Sequence, residues 1–181
     1  MRKVLLPALA ATLAITLAAP SGAATTMTRL GSDPANDGPP SLDLTFLDVG
    51  RTGDNLEIHI GIANIFPGIR SVPEAPGIEW VFDVRGRTFI AEGVPGATPR
   101  FYLFEDANGS FSQVAVLEGT YEAADGFIRM LVPIETIGAK RGTVISGTGK
   151  LGTQDVDAHV HYPGGANYPD YMATTKDFVV R

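Results

Sequence analysis

Asp33, Asn36 and Asp37 crowd oxygen donors into five positions near the N-terminal end of this chain. The surrounding Asp-Pro-Ala-Asn-Asp-Gly-Pro-Pro stretch is too rich in proline and glycine for regular structure. Calcium suits such clusters, because it takes about six to eight oxygen ligands and tolerates irregular loops. One short segment cannot supply that many. The ends of a β-sandwich often lie close together, so Asp170 or Asp177 is the expected further donor. A structural calcium at Asp33, Asn36, Asp37 and Asp170 is one reading of these residues. A plain solvated turn is the other, since Asp-Pro and Asn-Asp-Gly are ordinary turn formers.

Aromatic residues are the second signal. The stretch from His161 to Tyr171 carries Tyr162, Tyr168 and Tyr171 among prolines and glycines. Loops of that length in compact domains tend to be functional, and tyrosine offers large contact area at low entropic cost. Tyr162, Tyr168 and Tyr171 are therefore candidate ligand contacts, or else they fold back over the open end of the fold. Tyr102 is a fourth candidate. With Glu57, His59, Glu79, Asp83 and Arg100 it could form a face of rings, carboxylates and amides that stacks on pyranose rings and bonds their hydroxyls. The competing reading is an ordinary solvated face.

Catalytic chemistry finds little to work with. The chain has no cysteine and no Gly-x-Ser-x-Gly, and Ser146 in Val-Ile-Ser-Gly-Thr reads as the polar face of a strand. Triads are recognised by geometry rather than sequence, so a secreted hydrolase ranks third among the function classes. His159 and His161 share a strand face, and with Asp155 and Asp157 they could hold a metal; the alternative is surface histidines. Asp106-Ala107-Asn108-Gly109 has its glycine at the fourth place rather than the sixth an EF-hand needs, which makes it a hairpin turn.

The elements that must position these residues are strands. From Gly77 to Val132 apolar and polar residues alternate, with turns at Arg85-Gly86, Asp106–Gly109 and Ala123–Gly126. Trp80 alternates with Ile78, Phe82 and Val84, which puts it in the core. Leu42, Leu44 and Phe46 begin an earlier strand, Asp48–Asn55 turns the chain, and Leu56, Ile58, Ile60 and Ile62 return. Phe66–Gly77 holds three prolines and reads as a crossover between sheets. Pro133–Gly138 reads as one helical turn. Further strands are expected at Gly142–Leu151, Ala158–Tyr162 and Asp177–Val180. The expected fold is all-β: a two-sheet antiparallel β-sandwich, immunoglobulin- or jelly-roll-like, with about 8–9 strands.

Length and charge set the class. The chain has 181 residues; Arg2 and Lys3, an apolar run from Val4 to Ala19 and small residues at 20–24 form an expected secretory signal peptide over residues 1–24. Residues 25–41 follow as a polar lead-in, and 42–181 as a single domain. Without Arg2 and Lys3 the net charge falls from −6 to −8. That disfavours a nucleic-acid partner and suits cation binding. The apolar run is too short for a membrane span, so the protein is expected to be secreted, extracellular, periplasmic or at the cell surface.

An Asp-Pro-x-x-Asp opening, the Leu-Asp-Leu-Thr strand (Leu42–Thr45), the Trp-Val-Phe-Asp-Val-Arg-Gly hairpin and Val-Pro-Ile-Glu-Thr-Ile-Gly (Val132–Gly138) occur in that order. In this the chain resembles the secreted β-sandwich domains grouped with family 9 carbohydrate-binding modules and DOMON domains. The resemblance spans about Asp33 to Val180. It implies a non-catalytic module that binds carbohydrate or cell-envelope glycan, with a surface-structural or protein-interaction (adhesion) domain as the alternative. Haem-binding relatives use axial His, Met or Lys, for which Met130 and His59 are the candidates here.

Overall fold

The computed structural model describes residues 25–34, 36–38, 42–63, 77–94, 98–147, 157–161 and 170–181. The expected leader, most of the Pro-rich crossover, Asp155, Tyr162 and Tyr168 lie outside the described residues. Thirteen strands are described: β1 (Thr28–Ser32), β2 (Asp43–Thr52), β3 (Asn55–Ala63), β4 (Gly77–Val84), β5 (Arg87–Val94), β6 (Arg100–Asp106), β7 (Phe111–Val116), β8 (Glu118–Glu122), β9 (Phe127–Pro133), β10 (Val144–Gly147), β11 (Ala158–His161), β12 (Asp170–Met172) and β13 (Phe178–Val179). Among these residues there is no helix, and so none that is long and apolar enough to cross a membrane.

The strands form two antiparallel sheets. The smaller runs β1-β2-β3-β9-β8; the larger runs β12-β11-β4-β5-β6-β7, with β10 on β4 and β13 on β10. Period-two alternation decides which side chains meet between them. Leu56, Ile58, Ile60 and Ile62 of β3 face Ile78, Trp80, Phe82 and Val84 of β4 in one buried core. Trp80 is fully buried and stacks on Phe82 at 4.4 Å between ring centroids. Full burial of side chains of this size contributes about 1.5–3 kcal/mol each, so this layer dominates stability. The β4–β5 hairpin closes at Arg85-Gly86, both at positive φ (55° and 80°), the two-residue turn whose twist suits antiparallel strands.

The all-β sandwich is as expected, but its strands exceed the expected 8–9. Three short edge strands make up most of the excess. β1 lies inside the stretch read as a polar lead-in, β12 inside the tyrosine loop, and β8 directly after β7. Each is too short or too exposed for alternation to reveal it. The expected turn at Asp48–Asn55 is smaller than read: β2 continues to Thr52, and only Gly53-Asp54 reverses the chain. Pro133–Gly138 is not helical either. Pro133 ends β9 as the last partner of Asn55, and 134–138 form consecutive turns, with Gly138 N–H donating to Glu135 O at 3.0 Å.

Candidate functional site

The acidic residues do converge. Asp43 opens β2 buried, and its carboxylate accepts the N–H groups of Asn36 (2.6 Å) and Gly38 (3.2 Å), curling that segment back onto the strand. Asn36 sits at φ 81°, a left-handed conformation that asparagine tolerates. Gly38 presses on Asp170, whose carboxyl carbon would lie 2.9 Å from any Cβ placed there. Asp170 itself, at the head of β12, accepts the N–H groups of Leu44 (2.5 Å) and Tyr171 (2.8 Å). These bonds bring carboxylate oxygens of Asp33, Asp37 and Asp170 within 4.8 Å of one another, from opposite ends of the chain. Asp177, the other expected donor, is exposed and stands outside the group.

The electrostatics of this group are one-sided. Burial, then the charges of Asp37, Asp170 and Asp43, push the Asp33 carboxyl up to about 6. Burial raises Asp170 as well, against the two backbone N–H groups that favour its charged form. Asp33 Oδ2 is buried and accepts no hydrogen bond. Among the described residues no Arg, Lys or His forms an ion pair with any of the four carboxylates. An all-oxygen, all-anionic donor set fits a hard divalent cation rather than a transition metal. Asn36 enters this arrangement through its backbone N–H, and the sequence reading missed Asp43 as the anchor.

The second constellation lies on the outer face of the larger sheet. Register places Tyr171 opposite His159, His159 opposite Glu79, Glu79 opposite Glu92, Glu92 opposite Tyr102, and Tyr102 opposite Val116. Residues directly opposite share a face. One row therefore crosses β12, β11, β4, β5, β6 and β7 as Tyr–His–Glu–Glu–Tyr–Val. His159 Nε2 lies 3.0 Å from Glu79 Oε2, and both residues are buried. Tyr171 is 52% exposed, and Tyr102 and Glu92 are half-buried. Glu79 and Glu92 face each other at the centre of the row.

Other expected groupings separate. Glu57 and His59 belong to β3, so they face outward from the smaller sheet while Glu79, Asp83 and Tyr102 face outward from the larger one. The six-residue face read from sequence is thus two faces on opposite sides of the molecule. Glu57 instead bonds Arg129 Nε (2.6 Å) and His59 Nε2 (3.0 Å). Burial alone would raise its carboxyl; the bonds from Arg129 and His59 outweigh that and hold it at about 2. Met130 and His59 cannot share an iron, because Met130 points into the core and His59 stacks outside on Phe127 at 4.3 Å. Asp157 Oδ2 accepts the Thr174 hydroxyl at 2.6 Å. Asp106 Oδ1 accepts Gly109 N–H at 2.6 Å and closes the expected hairpin. Ser146 lies beside Asp83, with no histidine among the described residues that line the cleft they share. No protein-family model, no curated protein and no solved structure matches this chain.

Proposed function

We propose that this chain is an exported, non-catalytic binding module whose ligand is a carbohydrate or cell-envelope glycan. The observation that carries the reading is the outward row Tyr171–His159–Glu79–Glu92–Tyr102. Aromatic rings at its ends suit the apolar faces of sugar rings, and the half-buried carboxylate of Glu92 between them suits hydroxyls. Strands are spaced about 4.8 Å apart, so Tyr171 and Tyr102 stand roughly 19 Å from each other. That span favours an extended chain over a single sugar. Tyr162 and Tyr168 remain candidate contacts by their place in sequence between β11 and β12.

Affinity electrophoresis in polysaccharide gels, preceded by a glycan array, tests the reading. The wild-type protein should be retarded by at least one glycan. Tyr102→Ala combined with Tyr171→Ala should weaken that interaction by about tenfold or more, with an unchanged melting temperature. Failure of every glycan to retard the wild type, or equal retardation of the variant, refutes it.

We also propose that a hard divalent cation, calcium first, is held by Asp33, Asp37 and Asp170. The uncompensated carboxylates and the unbonded Asp33 Oδ2 support this. Asp170 and Tyr171 are neighbours on β12, so the cation would fasten the strand that presents one end of the binding row.

A protein-interaction role is the second reading, and β7 favours it. Edge strands are normally guarded by charge, bulges or brevity. β1 has Arg29 and a bulge, β8 has Glu118 and Glu122, and β12 has three residues. β7 (Phe-Ser-Gln-Val-Ala-Val) has a register irregularity at Val114 but carries no charge, and it exposes Phe111, Val114 and Val116. Its chemistry suits antiparallel pairing with β7 of a second copy, which would set Phe111 of one copy beside Val116 of the other.

A further inference from the structure

The basic side chains of this acidic protein are not spread evenly. A cleft of about 520 Å3 opens at the hairpin end of the larger sheet, between the β4–β5 turn and the turn that precedes β10. Among the described residues, Arg85, Lys140 and Arg141 line it, with Thr143, Ser146 and a single carboxylate, Asp83. The chain as a whole carries a net charge of −6, yet among the described residues these three cations face one acid.

Ordinary surface chemistry does not consume these charges. Among the described residues the basic partners in ion pairs are Arg29, Arg51, Arg87, Arg129, His59 and His159. Arg85, Lys140 and Arg141 are in none of them. Asp83 is already engaged, accepting the Thr88 hydroxyl at 2.6 Å. Three like charges held around one concavity repel each other, which costs stability unless an anion sits among them.

The walls are also fastened in place. Lys140 N–H donates to Thr143 Oγ1 (3.0 Å), and Thr143 N–H donates back to Lys140 O (2.8 Å). Gly142, at φ 83°, donates its N–H to Val180 O at 2.7 Å, tying the turn to the C-terminal segment. On the opposite wall Arg85 sits at φ 55° in a two-residue turn set by the β4–β5 register. The backbone positions of the cations are thus fixed before any ligand arrives, which lowers the ordering cost of binding.

We propose that this cleft binds an oxyanion on a sugar-sized carrier: a uronate, a sugar phosphate or a sugar sulfate. Arginine forks match carboxylate and phosphate oxygens, and lysine adds a point charge. The volume falls within the range of small-molecule sites and far exceeds the need of an inorganic ion. The hydroxyls of Thr143 and Ser146 and the carboxylate of Asp83 offer partners for sugar hydroxyls beside the charged group. This site is separate from the Tyr171–Tyr102 row and stands or falls independently of it.

Isothermal titration calorimetry on the full mature chain tests the assignment, with glucuronate, glucose 6-phosphate, glucose 6-sulfate, inorganic phosphate and neutral glucose as probes. At least one of the three charged sugars should bind saturably, and which one does so identifies the oxyanion. Glucose should give no saturable heat. Inorganic phosphate should bind at least about tenfold more weakly than the best charged sugar. Arg85→Gln with Arg141→Gln should lower that affinity by about a hundredfold, about tenfold per lost charge-assisted contact. The melting temperature of the double variant is measured alongside, and it should be no lower than that of the wild type, because Arg85 and Arg141 are both exposed and their loss relieves mutual repulsion. No saturable binding of any charged sugar up to about 10 mM, equal binding of glucose, equal binding of inorganic phosphate, or an unaffected double variant overturns the proposal.

Discussion

Replacing Asp33 by asparagine should have opposite effects with and without calcium. In the metal-free protein, burial and three neighbouring carboxylates lift the Asp33 carboxyl from 3.8 to about 6. A folded-state value above the unfolded one means the native state prefers the protonated acid. The stability this contributes is fully present below about pH 4 and is lost as pH rises through about 6. A shift of that size corresponds to about 3 kcal/mol if unscreened. Asp33 is only half-buried, so solvent screening reduces the figure to about 1–2 kcal/mol. Asp33→Asn removes the ionisation and should stabilise the chelated protein by that amount at pH 7.5. Calcium at about a hundredfold over its dissociation constant should stabilise the wild type by about 2.7 kcal/mol. For a domain of this size that raises the melting temperature by roughly 5–10 °C. The same asparagine should abolish most of that rise. Differential scanning calorimetry of both proteins, in millimolar calcium and in excess chelator, reads all four values. Coincident melting temperatures for the wild type in calcium and chelator would refute the cation site. An Asp33→Asn protein less stable than wild type in chelator would refute the account of repulsion.

The Glu57 carboxyl is held at about 2, below its ordinary 4.5, so its stabilisation is present above about pH 4.5 and lost as pH falls through about 2. Arg129→Met leaves that buried carboxylate short of its main partner and should cost about 3 kcal/mol at pH 7 by urea denaturation, with most of the loss gone at pH 2.5; an equal loss at both pH values would contradict the pairing. If β7 pairs with a second copy, sedimentation velocity should show a concentration-dependent dimer. Val116→Lys, at a position 71% exposed, should shift it to monomer without changing the melting temperature; a wild-type protein that stays monomeric across the accessible concentrations would remove the pairing.

Much of this molecule is legible from local pattern alone. Alternation over Leu56–Ile62 and Ile78–Val84 marks both faces of the core, and Gly86, Gly109 and Gly126 mark the hairpins, because a strand's period and a turn's φ depend only on residues next to one another in sequence. The crowding of Asp33 with Asp37 is likewise local; the nearness of sandwich ends pointed to Asp170 or Asp177 alike, and only Asp170 joins the group. What the pattern could not carry is which strands are neighbours. Glu57 and Glu79 look alike on paper, each a polar residue in an alternating strand, yet they face opposite sides of the molecule because β3 and β4 belong to different sheets. The row from Tyr171 to Tyr102 exists only because β12, β11 and β4 pair in one register across long sequence separations. The cleft of Arg85, Lys140 and Arg141 exists only because β10 docks on the hairpin end of β4. Sheet membership and register are settled by the arrangement in which all apolar faces exclude water together. That is a property of the whole core, and no window of the sequence contains it.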